Sequence, residues 1–62
     1  MEVNINFKCN TKAFKPKPLR EIRNILIEII MARELSDPLE YPFQKVLEDS
    51  NGKTIGYMEI IE

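Results

Sequence analysis

The chain has 62 residues, 9 of them basic and 10 acidic, with no histidine and a net charge of −1. A chain of this length forms one domain, residues 1–62, and buries only about 60% of the surface that it exposes when unfolded. One cysteine and no histidine exclude an internal disulfide and a Cys/His zinc site. Without these cross-links, stability must come from good packing or from self-association, and we expect association.

Residues 2–10 alternate polar and apolar side chains, the period of two that is typical of a β-strand with one wet face. The apolar row consists of Val3, Ile5, Phe7 and Cys9. Cys9 has no histidine to activate it as a nucleophile, so we expect it to be a small buried hydrophobe.

Residues 11–18, TKAFKPKP, predict an extended basic connector, because a residue before proline avoids helical geometry. Pro18 fits the first position of a helix, where its missing N–H has no consequence. The helix is predicted from Leu19 to Ser36 and ends before Asp37-Pro38.

The predicted helix carries apolar residues on two sides. One row, expected to pack on the sheet, contains Leu19, Ile22, Ile25, Leu26, Ile29 and Ile30, and the side opposite holds Arg20, Glu21, Asn24 and Glu28. A second row, the outer helix row, contains Ile27, Met31 and Leu35. Either a partner covers this row, or the segment DPLEYPF folds back over it with its side chains Leu39, Tyr41 and Phe43.

Two further strands, Phe43–Asp49 and Lys53–Ile61, flank Asn51-Gly52, a strong β-hairpin signal. A three-residue loop with left-handed Gly52 pairs Asp49 with Lys53, and a two-residue loop pairs Ser50 with Lys53. The first register gathers Phe43, Leu47, Ile55, Tyr57 and Ile61 on one face, and leaves Val46, Met58 and Ile60 on the other. The predicted fold is a small α+β domain of order β-α-β-β, with one helix on a single three-stranded sheet.

Gly52-Lys53-Thr54 matches the end of a phosphate-binding P-loop, but Leu47 stands where the first glycine belongs and a strand follows instead of a helix. The same turn lacks the glycine of a calcium loop at position six. No nucleophile has a base partner, and no catalytic, metal, cofactor or small-molecule site is predicted. We therefore expect a protein that is not an enzyme.

The leading hypothesis is a protein-interaction or regulatory module, expected to be a homodimer, with an unknown protein as the other possible partner. Its predicted interface comprises Ile27, Met31, Leu35, Met58 and Ile60. A lone cysteine, no signal peptide and no apolar run long enough for a bilayer predict a cytoplasmic protein without a membrane partner.

The second hypothesis is nucleic-acid binding by the basic arc, defined as Lys8, Lys12, Lys15, Lys17, Arg20 and Arg23, with Phe14 available to stack on a base. The negative net charge stands against it. A third hypothesis is an acidic inhibitor that occupies a partner's nucleic-acid groove. Its negative field would come from the acidic residues of the C-terminal half, Glu34, Asp37, Glu40, Glu48, Asp49, Glu59 and Glu62.

Overall fold

A computed structural model describes all residues, Met1 to Glu62. The elements in chain order are β1 (Glu2–Phe7), a short 3₁₀ helix (Lys12–Phe14), α1 (Pro18–Ile30), β2 (Phe43–Glu48) and β3 (Thr54–Ile61). One helix and one three-stranded antiparallel sheet in the order β-α-β-β confirm the predicted fold class.

The sheet has the order β1-β3-β2, so the last strand of the chain lies in the middle and pairs antiparallel with both others. At the hairpin, the Asp49 N–H donates to the Lys53 carbonyl at 2.9 Å, and the Gly52 N–H donates to the Asp49 carbonyl at 2.9 Å. Gly52 has φ +80°, a left-handed conformation that glycine adopts without steric strain. The turn therefore has the three-residue register.

A β-bulge next to the turn changes which residues face the core. Glu48 pairs with Thr54 but Leu47 pairs with Gly56, so Ile55 is the extra residue on β3. Beyond the bulge, Met58 and Ile60 lie on the core face with Leu47. The predicted hairpin face was wrong for Tyr57, which is exposed on the other side, because one extra residue reverses the alternation.

Gly56 allows β1 and β3 to approach each other closely. A Cβ at this position would stand 2.5 Å from the Phe7 Cα and still closer to the Asn6 carbonyl oxygen. Both atoms belong to the backbone of β1, which cannot move without opening the sheet. Only glycine fits here.

The core is small and lies between α1 and the sheet. Its seven buried apolar residues are Phe14, Ile25, Ile29, Leu47, Ile55, Met58 and Ile60. Cys9, predicted to be buried, is exposed, because β1 ends at Phe7 and the chain leaves the sheet before it. The predicted extended connector was also wrong, since residues 12–14 form a 3₁₀ helix that turns Phe14 into the core.

Helix α1 begins at Pro18, as predicted, but ends at Ile30 rather than Ser36. After Ile30 the chain makes turns, with Ala32 N–H donating to the Ile29 carbonyl at 3.2 Å and Leu35 N–H to the Ala32 carbonyl at 3.1 Å. These turns let Leu35 pack against the core. Tertiary packing therefore ends the helix before Pro38 would.

The molecule is elongated. Its principal extents are 38 × 17 × 17 Å and its radius of gyration is 12.4 Å, where a compact chain of this length has about 11 Å. A slender shape leaves a large fraction of the chain at the surface. Only 9 of 62 residues are buried.

Candidate interaction surface

The exposed face of α1 is unusually apolar. The helix presents five exposed large apolar side chains, which we call the α1 patch: Leu19, Leu26, Ile27 and Ile30 within the helix, and Met31 at its C-terminal cap. The predicted sheet-facing row was therefore only half right. Ile25 and Ile29 are buried and Ile22 packs at the core margin, while the other three members of that row face solvent.

Glu21 explains why the helix is rotated from its predicted orientation. Its buried carboxylate accepts hydrogen bonds from the Ser50 N–H at 2.7 Å and from the Ser50 hydroxyl at 3.0 Å. Ser50 belongs to the turn after β2, so this contact turns the Glu21 side of the helix inward. Glu21, predicted on the outer side, lies on the buried face.

The two flanks of α1 differ in polarity. A shallow groove beside the end of β2 is lined mostly by polar side chains, including Asn24 and Glu28 of the helix and Glu48 of the sheet, together with Ile25 and Ile27. The opposite flank carries Leu26 and Ile30 and faces away from this groove and from β2.

The outer helix row is only partly free. Ile27 is 45% exposed and Met31 is 74% exposed. Leu35 is half-buried and packs against the core, as do Leu39 and Phe43. The segment from Asp37 to Phe43 thus packs over the end of the core and leaves the first two members of the row uncovered.

Met58 and Ile60 do not form a second contact surface. Met58 is 1% exposed and is the most deeply buried side chain of the protein, and Ile60 is also buried. Both lie on the central strand beneath α1, where the β-bulge has placed them. Their predicted place in an interface was wrong, because they fill the core of the single chain.

The hairpin turn is organised by the carboxylate of Asp49. It accepts hydrogen bonds from the Thr11 hydroxyl at 2.6 Å, and from the Asn51 and Lys53 N–H groups at 2.9 Å each. The Thr11 hydroxyl and then the Lys53 N–H, aided by the Asn51 N–H and the Lys53 charge, lower the pKa of Asp49 against the opposing effect of burial. The amides that a P-loop would aim at a phosphate are thus occupied by the chain's own carboxylate, and β3 follows the turn.

The basic arc is a set of exposed cations without its predicted aromatic. All six basic side chains are exposed, and none takes part in a salt bridge, the only one in the structure joining Lys45 to Glu34 at 3.3 Å. Phe14 is 3% exposed, in contact with the core, and cannot stack on a base. Its apolar ring gains more from burial than from exposure to water beside four lysines.

The polar contacts of Glu21 and Asp49 were missed from the sequence. An Asp that opens a turn and accepts a hydrogen bond from the second residue after it is a recognisable local pattern. The hydrogen bonds from the turn amides to Asp49 could therefore have been predicted from the sequence. The partner Thr11 lies 38 residues away, and Ser50 lies 29 residues from Glu21. No local signal encodes such pairings.

Metal-binding side chains are not brought together in the structure. No three His, Cys, Asp or Glu side chains are close enough to hold a metal ion. No helix has the length and apolar character required to cross a membrane. Comparison with protein-family models, curated proteins and solved structures finds no match for this chain.

Proposed function

We propose that this protein is a small, non-enzymatic interaction module that works by binding another protein surface, and that a second copy of the chain is its first partner. The observation that supports this best is the distribution of apolar side chains. Eleven large hydrophobic residues are exposed, against seven in the core. Exposed apolar residues that occur singly are common, but contiguous patches mark sites of association.

The α1 patch is the contiguous part of that surface. Leu26, Ile27, Ile30 and Met31 are related by spacings of three and four residues, so their side chains adjoin one another, while Leu19 lies about two turns before Leu26. Methionine and isoleucine tips on a helix suit an adaptable apolar contact, as with Ile27 and Met31. Covering such a face in a complex removes apolar area from water, which favours association.

The test is solution mass, by light scattering at several protein concentrations, for the wild type and for Ile27→Glu and Met31→Glu. We expect association in the wild type and its loss in both variants, with circular dichroism unchanged because both side chains are exposed. Asn24→Glu is the control, since it adds the same carboxylate to an exposed helical position outside the α1 patch. A wild type that stays monomeric throughout contradicts self-association.

Nucleic-acid binding is the second candidate, supported by the six exposed cations that lie outside any salt bridge. Binding of this kind must weaken steeply with salt, because it releases counterions from phosphates. Charge reversal at Lys15 and Lys17 is expected to abolish it, while Lys53→Glu, outside the basic arc, changes it little. If a fluorescent single-stranded oligonucleotide does not bind at low salt, this candidate is excluded.

A further inference from the structure

Strand β1 is an edge strand whose outer backbone groups face solvent. It pairs only with β3, and directly after β1 the Lys8 N–H donates to the carbonyl of Ile55 in β3 at 3.0 Å. In an antiparallel pair, successive residues bond alternately to one side and to the other. The even-numbered residues therefore bond to β3, and the N–H and C=O groups of Val3, Ile5 and Phe7 point to the open edge.

The sequence of this edge is complementary to itself when reversed. Residues 2–8 read EVNINFK, with an acid at one end, a base at the other, and matching residue classes between them. In an antiparallel pair centred on Ile5, Glu2 lies opposite Lys8 of the second copy, Val3 opposite Phe7, and Asn4 opposite Asn6. Opposite charges placed across neighbouring strands stabilise a sheet, and like charges destabilise it.

The alternation of backbone hydrogen bonds along β1 fits the same register. A pair centred on Ile5 requires the odd-numbered residues to exchange hydrogen bonds with the second copy, and these are the groups that face the open edge. Val3 with Phe7, and Ile5 with itself, become hydrogen-bonded pairs. Neither a neighbouring register nor a parallel arrangement sets Glu2 opposite Lys8.

The other edge of the sheet lacks these properties. Strand β2 follows Pro42 and carries Lys45 in its middle. Charged side chains, lysine above all, and prolines are devices by which proteins protect sheet edges from pairing. The structure thus has one guarded edge and one open edge.

We propose that two copies of this chain join through β1, antiparallel and with Ile5 opposite Ile5 of the second copy, to form a continuous six-stranded sheet. Val3 and Ile5 lie on the core side of β1, because they pair with Ile60 and Met58. They are nevertheless 54% and 44% exposed, since α1 does not reach over the edge. Pairing brings Val3 against Phe7 of the second copy and reduces that exposure.

The two α1 helices then lie on the same face of the joined sheet. In each copy the flank with Leu26 and Ile30 is the one away from β2, so both apolar flanks turn toward the two-fold axis. This inference builds on the proposed self-association but assigns it to the β1 edge, whereas Ile27 and Met31 point away from the sheet.

The charge pairs provide the first test, by sedimentation at low ionic strength, where screening is weak. Glu2→Lys and Lys8→Glu each set like charges opposite one another at both ends of the pair, and each is expected to weaken the dimer about tenfold. An equimolar mixture of these two variants restores opposite charges at both ends and is expected to restore the dimer. Lys12→Glu makes the same charge change outside β1 and should leave association unchanged.

Disulfide trapping provides the second test, in a Cys9→Ser background that removes the exposed native thiol. Asn4 and Asn6 of the second copy form a non-hydrogen-bonded pair, with Cα atoms about 4.5 Å apart, which a disulfide can bridge. Mild oxidation of a mixture of Asn4→Cys and Asn6→Cys should give mixed disulfide dimers in excess of either homodimer. Asn10→Cys, beyond the paired residues, should not cross-link with either.

The outcomes separate this inference from the proposed function. Rescue by mixing, together with mixed disulfides, supports pairing through β1. A dimer that tolerates Glu2→Lys and Lys8→Glu but dissociates with Ile27→Glu overturns this inference and leaves the proposed function standing. A wild type that sediments as a monomer at all concentrations overturns both.

Discussion

Met58 and Met31 offer a matched pair of positions at which burial alone should determine the effect of one substitution. Met58 is 1% exposed on the central strand, paired with Ile5 on one side and Lys45 on the other, while Met31 is 74% exposed at the end of α1. Replacing either with alanine removes the same atoms. Only at Met58 does that removal leave a cavity.

The expected loss at Met58 is about 3 kcal/mol, since truncating a buried methionine to alanine costs roughly 2–5 kcal/mol in transfer and cavity terms. A domain of this length has a free energy of unfolding of about 3–9 kcal/mol, at roughly 0.05–0.15 kcal/mol per residue. Met58→Ala should therefore remove a third or more of the stability. The melting temperature should fall by about 12–24 °C, given roughly 4–8 °C per kcal/mol in a domain this small.

The assay is thermal and urea unfolding followed by circular dichroism, at a protein concentration at which the wild type is monomeric, because association through Met31 would shift the apparent stability. Met31→Ala is expected to change the free energy of unfolding by less than about 0.5 kcal/mol, as for most surface substitutions. If Met58→Ala melts with the wild type, or if both variants lose the same stability, the assignment of Met58 to the core is refuted.

Two further predictions concern the glycines and the acid limit of stability. Gly56→Ala should destabilise the fold by roughly 1–3 kcal/mol, because the added methyl group meets the β1 backbone. Gly52→Ala, whose methyl group enters open space but whose φ is positive, should cost about 1 kcal/mol. Equal urea midpoints for the two variants would contradict the larger effect expected at Gly56. The hydrogen bond from the Thr11 hydroxyl, followed by the other hydrogen bonds to the carboxylate, lowers the pKa of Asp49 below its usual 3.8. These bonds therefore stabilise the folded state at pH values above 3.8, and that stabilisation is lost as the pH falls through the folded-state pKa. Asp49→Asn should reduce the loss of stability that the wild type shows as the pH is lowered. Glu34→Gln, which removes an exposed salt bridge, should change this pH dependence less. If Asp49→Asn leaves the pH dependence unchanged, the proposed contribution of the hydrogen bonds to Asp49 is contradicted.

The predictions that held depend on residues close together in the chain. Alternation in β1, proline at the start of α1 and Asn51-Gly52 in the turn are local signals, and they gave the order β-α-β-β and the register at Gly52. Each of these features follows from backbone preferences within a few residues, which a sequence displays directly.

The candidate surface was predictable only in part. The surplus of apolar residues on the helix was evident, and Ile27 and Met31 are exposed. Their companions Met58 and Ile60 were misplaced, because the bulge at Ile55 reversed the faces of β3. A bulge depends on how two strands meet, and the alternation of one strand does not reveal it.

The sequence by itself therefore determined the order of one helix and three strands, and that these cannot bury all of their apolar side chains. Only the tertiary structure decided which side chains remain outside. Glu21 turned inward to reach Ser50, Phe14 entered the core, and the helix ended early so that Leu35 could pack. Each choice is made by contacts between residues distant in the chain, where the gain from burial or from a satisfied hydrogen bond outweighs local preference.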